Sequence, residues 1–258
     1  MKNLRVLVDA VQIVALRGTA TVRDLSEALK MPRSTTHRLA ASLLAMRFIQ
    51  KDSASGAYAL GPLVGELAGG TLPWRPLVTH CRPEMEALRD SSGETIALHV
   101  MQAERRVLVD QAEGLQELRW VFSNPLMPMP LHAGAAAKML LALLPAADVT
   151  RIVRRDTLVA FTSRTPNDLA QLQRELEQIR AQGYSVSQEE VTPGIVSIAV
   201  PVVEAPFAAQ PLAVLGLTGP MVRLPDKRLK SLVPSLAAAA RSARKKLEQA
   251  LGERRQAA

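Results

Sequence analysis

The chain has 258 residues, 48% hydrophobic and 22% charged, a globular composition and not a disordered one. Its net charge of +8 is uneven: residues 1–61 hold nine Lys/Arg against four Asp/Glu, the other 197 hold 23 against 20, and an excess gathered in the first quarter suits a phosphate-binding module. A single cysteine, Cys81, excludes an intrachain disulfide framework and fits a reducing cytoplasm, while the absence of a long apolar run or a signal-peptide pattern speaks against a membrane span or secretion.

Residues 4–16 (LRVLVDAVQIVAL) place Leu4, Leu7, Val11 and Val14 on one side of a helix that Gly18 ends. Thr21 then stands as an N-cap with Asp24 at capping-box spacing, and Val22, Leu25 and Leu29 form the apolar stripe of a second helix. Lys30-Met31-Pro32 breaks it, and a third helix begins at Pro32 or Arg33, with Leu39, Leu43 and Met46 as its expected buried stripe. Arg33, Ser34, His37 and Ala41 then project outward with Arg38 on the flank. That face bears cations and short hydrogen-bonding groups and no carboxylate, which is what a helix in a DNA major groove requires. A polar outward face is also the default for any short amphipathic helix, so the hairpin that follows matters. Phe48-Ile49-Gln50 and Tyr58-Ala59-Leu60 read as strands around the turn Asp52–Gly56, completing the order of a winged helix-turn-helix. The candidate DNA contacts are therefore Arg33, Ser34, Thr35, Thr36, His37 and Arg38 on the helix, with Lys51 and Ser53 near the wing tip.

Residues 61–72 suggest a short linker helix, closed by glycines and followed by Pro73 and Pro76, so a domain boundary is expected there. A helix over His80–Asp90 ends at Gly93. His80 and Cys81 are adjacent on it and point apart, so no metal site and no cofactor is expected. ETIALHVMQ and RRVLVDQAE read as two paired strands, and Leu118–Phe122 as a third. A proline-punctuated loop leads into the Ala-rich helix LHAGAAAKMLLALLP, and Asp148–Arg155 is a further short helix. Thr165 as N-cap, Pro166 and Asp168 start the next helix, which Gly183 stops. Tyr184–Val191, Ile195–Val203 and Leu212–Thr218 are three more strands, and one long helix over about Asp226–Leu251 closes the chain. The fold class is thus α+β in two domains, the second a mainly antiparallel sheet of about six strands with helices beside it. No hydrolase, metalloprotease, P-loop or dinucleotide motif is present, which favours a binding domain over an enzyme. The free amides at the start of the Ala-rich helix, with almost no side chains on Gly134–Ala137, would suit a small anion, or simply pack tightly against the sheet.

MPRSTTHRLAASLLAMRFIQKD…GAYALG resembles the DNA-binding region of the isocitrate lyase regulator (IclR) family of bacterial transcription factors. Lys30 departs from the glycine usual in the turn, and the Phe48 region lacks the glycine often found before the wing. PLHAGAAAKMLLALL, GYSVSQEEVTPGIVSIAVPV and LGLTGP are similar to stretches of the family's effector-binding domain, so the likeness covers about residues 5–247. The domains expected are a winged helix-turn-helix at 1–61, a linker helix at 62–74 and, as the resemblance implies, a GAF-like domain at 75–252 that binds a small metabolite; a signal is expected to be relayed through the linker helix over 62–70. Carried over by position, the pocket would take Leu118, Val121 and Met129 as an apolar wall, Ala135 and Ala136 at the helix start, Ser187, Ser197 and Ile198 from the middle strands, and Gly216 and Thr218 from the last strand. Hydroxyls at Ser187 and Ser197 suggest a neutral pocket, and Glu189 and Glu190 are expected to face solvent or a subunit interface. The implied protein is a cytoplasmic regulator, not an enzyme, with an operator duplex, an organic or aromatic acid effector and further copies of itself, as dimer or tetramer, for partners. A ligand-independent DNA binder, and an enzyme with an accessory DNA-binding domain, stay open as alternatives.

Overall fold

The computed structural model describes residues 2–52, 55–68, 72–123, 126, 128–156, 158–205 and 210–256. It divides into two compact units, Met1–Leu72 and Pro73–Ala258.

The first unit runs α1 (Lys2–Arg17), α2 (Val22–Leu29), α3 (Arg33–Ala45), β1 (Ile49–Lys51), β2 (Tyr58–Leu60) and α4 (Pro62–Ala68). Thr21 caps α2 as its spacing predicts: its hydroxyl accepts from the Asp24 amide at 3.2 Å, and its own amide donates to the Asp24 carboxylate at 2.8 Å. Ala10, Val14, Leu25, Ala40, Leu43, Ile49 and Tyr58 make the core. The stripe of α3 differs from the expected one. Thr36, Ala40 and Leu43 are its buried residues, whereas Met46 lies past the helix end and is 42% exposed. Thr36 is tolerated inside because its hydroxyl donates to the Pro32 carbonyl at 3.1 Å. Lys30, in the turn between α2 and α3, is left-handed at φ 52° and ψ 45°. Arg47, just before the hairpin, has φ 63°. Both stand where glycine would be unstrained.

In the hairpin Ile49 pairs with Leu60, Gln50 with Ala59 and Lys51 with Tyr58, and Ala20 bridges to Tyr58 from outside. Helix α4 is bonded to this hairpin. The Gly61 amide donates to Phe48 O at 2.8 Å and the Leu63 amide to Arg47 O at 3.2 Å, and Arg47 forms an ion pair with Glu66. A Cβ at Gly61 would collide with the Arg47 carbonyl oxygen, so only glycine fits there.

The second unit comprises α5 (Arg75–Ser92), β3 (Thr95–Gln102), β4 (Arg105–Ala112), α6 (Ala135–Ala142), α7 (Ala146–Arg155), α8 (Leu169–Gln182), β5 (Ser185–Gln188), β6 (Ile195–Val203), β7 (Ala213–Pro220), α9 (Asp226–Ser231) and α10 (Val233–Gln256). The strands form one antiparallel sheet in the order β4-β3-β7-β6-β5. Its register puts Ala97, Gly216 and Ala199 side by side on one face, toward α6, and Ile96, Leu217 and Ile198 on the other. The α6 face continues into a core of Leu131, Met139, Leu140, Ile152, Leu172 and Leu176 from α6, α7, α8 and the entry to α6. Helices α5 and α10 pack together on the opposite side.

Three sequence expectations change here. The sheet has five strands and not about six, because Leu118–Phe122 is irregular. Its backbone is satisfied by side chains instead of a ladder: Thr95 Oγ1 donates to Trp120 O at 2.5 Å, and Gln111 bonds Phe122 both ways, at 3.0 and 3.2 Å. Asp168, not Thr165, caps α8, accepting from the Gln171 amide at 3.0 Å. Thr165 instead ties the loop before it, donating to Glu190 O at 2.6 Å and accepting from Phe161 N at 2.9 Å. The closing helix is two, since Pro234 has no amide to donate and its ring crowds the preceding turn, so α9 stops at Ser231. No helix among the described residues is long and apolar enough to cross a membrane.

Candidate functional sites

In the first unit Arg33, Ser34, His37 and Arg38 are exposed on the first two turns of α3, and Thr35 is half-buried. Thr36, fully buried and bonded to Pro32 O, has no surface to offer a duplex and leaves the candidate set. The helix RSTTHRLAASLLA carries no acidic side chain, and its N-terminal end, where the macrodipole is positive, is the end bearing Arg33. Lys51 is exposed at the end of β1 with its ammonium 6.0 Å from the Tyr58 ring centroid. Asp52 shapes the wing turn by accepting from Ser55 N at 2.6 Å and Ser55 Oγ at 2.7 Å. Ser53 lies outside the described residues.

In the second unit the α6-facing side of the sheet, the start of α6 and the segments around Trp120 and Val191 enclose a cavity of about 60 Å³. A recess of about 200 Å³ adjoins it, and Arg106, Trp120, Phe122 and Val191 line both. Ala135, Ala136, Ser197, Ile198, Gly216 and Thr218 line the first, as the resemblance implied, and Val121 and Met129 line the second. Leu118 does not join them: it is 68% exposed. Ser187 is buried opposite Ser197 on edge strand β5 and lines neither space.

The polar chemistry of the cavity comes from residues that sequence reasoning passed over. His99 Nδ1, Arg106 Nε and Trp120 Nε1 are buried and have no hydrogen-bond partner among the described residues. Among the described residues no acidic side chain lines either space. Burial, with the Arg106 charge adding to it, holds His99 well below its ordinary pKa, so its ring is neutral. Burial also brings Arg106 down to about 10, which leaves it cationic at neutral pH. The neutral pocket inferred from Ser187 and Ser197 is therefore corrected: the wall carries one positive charge. Arg106 shares its strand face with Leu108, but with Arg105 beside it and Val107-Leu108-Val109 unbroken by polar residues, the sequence does not mark which arginine turns inward. The rings are fixed against one another: His99 meets Phe122 edge-on at 5.3 Å, and Trp120 meets Phe122 edge-on at 5.8 Å.

Glu190 also departs from expectation. It is 6% exposed; one carboxylate oxygen lies 2.5 Å from Lys138 Nζ and the other accepts from the Gly134 amide at 3.0 Å. Lys138 is itself buried and reaches Glu175 at 2.8 Å. The lysine in an otherwise apolar helix needed a counter-charge, and Glu190 supplies it while satisfying the backbone at the entry to α6. Glu189 is half-buried, accepting from Gly194 N at 2.8 Å and pairing with Arg164 at 3.2 Å.

Comparison with known proteins agrees with this architecture. Residues 70–244 match the family model described as bacterial transcriptional regulator IclR C-terminal, and residues 10–53 match the IclR helix-turn-helix domain. The HTH-type transcriptional regulator BhcR of Paracoccus denitrificans is 32% identical over 233 residues, 90% of this chain and 82% of that protein. The HTH-type transcriptional repressor AllR of Salmonella paratyphi A is 34% identical over 215 residues, 83% of this chain and 78% of that protein. An IclR homologue from Microbacterium hydrocarbonoxydans, crystallised with 4-hydroxybenzoate, superposes with a TM-score of 0.78 at 22% identity, covering 94% of this chain and 99% of that one.

Proposed function

This chain belongs to the IclR family of bacterial transcriptional regulators, and on that premise we propose that it binds an operator through α3 and the wing and releases or grips it according to a small acid held between α6 and the sheet. The carrying observation is the cavity lined by Ala135, Ala136, Ser197, Gly216 and Thr218, which among the described residues has a single cationic side chain, Arg106, in its wall. In the first unit, exposed Arg33, Ser34, His37 and Arg38 with Lys51 supply the donors a groove needs, and Thr35 stands at their edge. A helix of this length reads only a few base pairs, so a homodimer or tetramer acting in the cytoplasm on a pseudo-palindromic site is the working form. The acid changes operator occupancy only by the difference in its affinity for the two arrangements of the protein. Residues 1–61 are the reader, 62–74 the link and 75–252 the sensor. The 4-hydroxybenzoate held by the M. hydrocarbonoxydans homologue supports an aromatic acid as one effector class.

Selection of duplexes from a random library with the full chain tests this. It should enrich one sequence with two-fold symmetry, whose affinity shifts when carboxylic acids are added and falls when Arg33 is replaced by alanine. Equal retention of all sequences, or an enriched site indifferent to Arg33, overturns it.

A further inference from the structure

We infer that Arg106 and Trp120 form the anion anchor of this cavity and select a monocarboxylate with an apolar, ring-bearing body; the inference rests on the effector-cavity reading above. Five buried side-chain atoms among the described residues lack a hydrogen-bond partner, and three of them, on His99, Arg106 and Trp120, converge on this one space. Leaving a guanidinium N–H and an indole N–H dry and unpaired costs free energy in the empty protein, a cost that an incoming acceptor removes. Both Arg106 Nε and Trp120 Nε1 are donors only, so the group they await is an acceptor. It is an anion because, among the described residues, the one charge in the wall is positive and no carboxylate opposes it. It carries one charge because Arg106 is the one cationic residue among the described lining; Lys138, farther along α6, lines neither space and is engaged by Glu190 and Glu175. The rest of the wall, with Phe122, Leu108, Met129 and Val191, is apolar or aromatic, which suits a hydrocarbon ring. Neutral His99 adds one site for a ligand hydroxyl or carbonyl.

The Trp120 donor stands on a segment held in place before any ligand arrives. Thr95 bonds the Trp120 carbonyl at 2.5 Å, and Gln111 fixes Phe122 on both its backbone groups. The anchor is thus preorganised, and little ordering is required on binding.

Calorimetric titration of the full-length protein with benzoate, 4-hydroxybenzoate, phenylacetate and pyruvate, each against its neutral amide, tests the inference. The ring-bearing acids should bind at least about tenfold more tightly than their amides and than pyruvate. Arg106→Met should weaken the acids by about 10- to 100-fold and leave the amides within about twofold, since removing one partner of a desolvated charge pair affects only the ligand that bears the charge. Trp120→Phe keeps the ring and removes the N–H; it should cost the acids about fivefold or more. Acids and amides of equal affinity, acids unaffected by Arg106→Met, or no acid bound at millimolar concentration overturns the anchor. Ala136→Trp, which fills the cavity, separates the two readings. If it abolishes acid binding while Arg106→Met spares it, the cavity stands and the anchor falls; if it changes nothing, the cavity reading itself falls.

Discussion

Replacing Lys30 by glycine should stabilise the first unit, and the size of the gain follows from the backbone. Lys30 sits at φ 52° and ψ 45° between α2 and α3, on the protein surface. A residue with a Cβ gives up roughly 1–2 kcal/mol to hold that left-handed conformation. Glycine would not, but its freer unfolded chain returns about 0.5–1 kcal/mol of the gain. The net is a stabilisation of about 0.5–1 kcal/mol. For a unit of this size that is a rise of roughly 2–8 °C in its unfolding midpoint. Differential scanning calorimetry and urea titration of the full chain measure it, with Lys30→Ala as the control. Alanine keeps the Cβ and the strain, so it should move the midpoint little. A Lys30→Gly variant no more stable than Lys30→Ala would refute the reasoning, because the two differ at the backbone and not in charge. Operator binding gives a second check: if Lys30 neutralises a phosphate, both variants lower the salt slope by about 0.9.

Arg33→Ala should cost about 1–3 kcal/mol of operator affinity and relax preference at one base pair, if its contact is bidentate, as read by fluorescence anisotropy on a panel of single-base variants. Ala136→Trp should abolish the effector response while leaving ligand-free operator affinity within about twofold, since position 136 lies in the second unit's cavity; a normal response would move the site elsewhere. The Glu84 carboxyl is held below its ordinary range chiefly by Lys246, at 2.6 Å, and also by Ser242, at 2.8 Å, tying α5 to α10. Its folded pKa is below its unfolded one, so its stabilisation is present above the ordinary carboxylate pKa and is lost as pH falls through the folded value. Glu84→Gln should therefore lower stability at pH 7 and flatten the acid limb of the pH–stability curve; an unchanged limb refutes the linkage.

The winged helix-turn-helix was legible because its signals are local: a capping box at Thr21, a proline break, and a turn between two short strands. What misled was residue type standing in for environment. Thr36 reads as a surface hydroxyl, yet it lies seven residues before Leu43 on the same helix face, and its bond to the Pro32 carbonyl lets it be buried there, while Met46 falls past the helix end. Leu118–Phe122 has a strand's composition, but Thr95 and Gln111 capture its backbone before a neighbouring strand can. The cavity was half visible. Its small residues lie in contiguous stretches, whereas His99, Arg106 and Trp120 meet only once the sheet is assembled, and nothing in local sequence announces a meeting across that distance. Glu190 was misplaced for the same reason, its partner Lys138 being 52 residues away in the chain.

The missing side chain at Gly61 has a mechanical consequence. The backbone of 61–63 is bonded to that of 47–48, and Arg47 clasps Glu66, so the start of α4 is tied directly to the base of the wing. Inserting one residue after Leu60 would shift the Gly61 and Leu63 amides away from the Phe48 and Arg47 carbonyls and so loosen α4 from the wing.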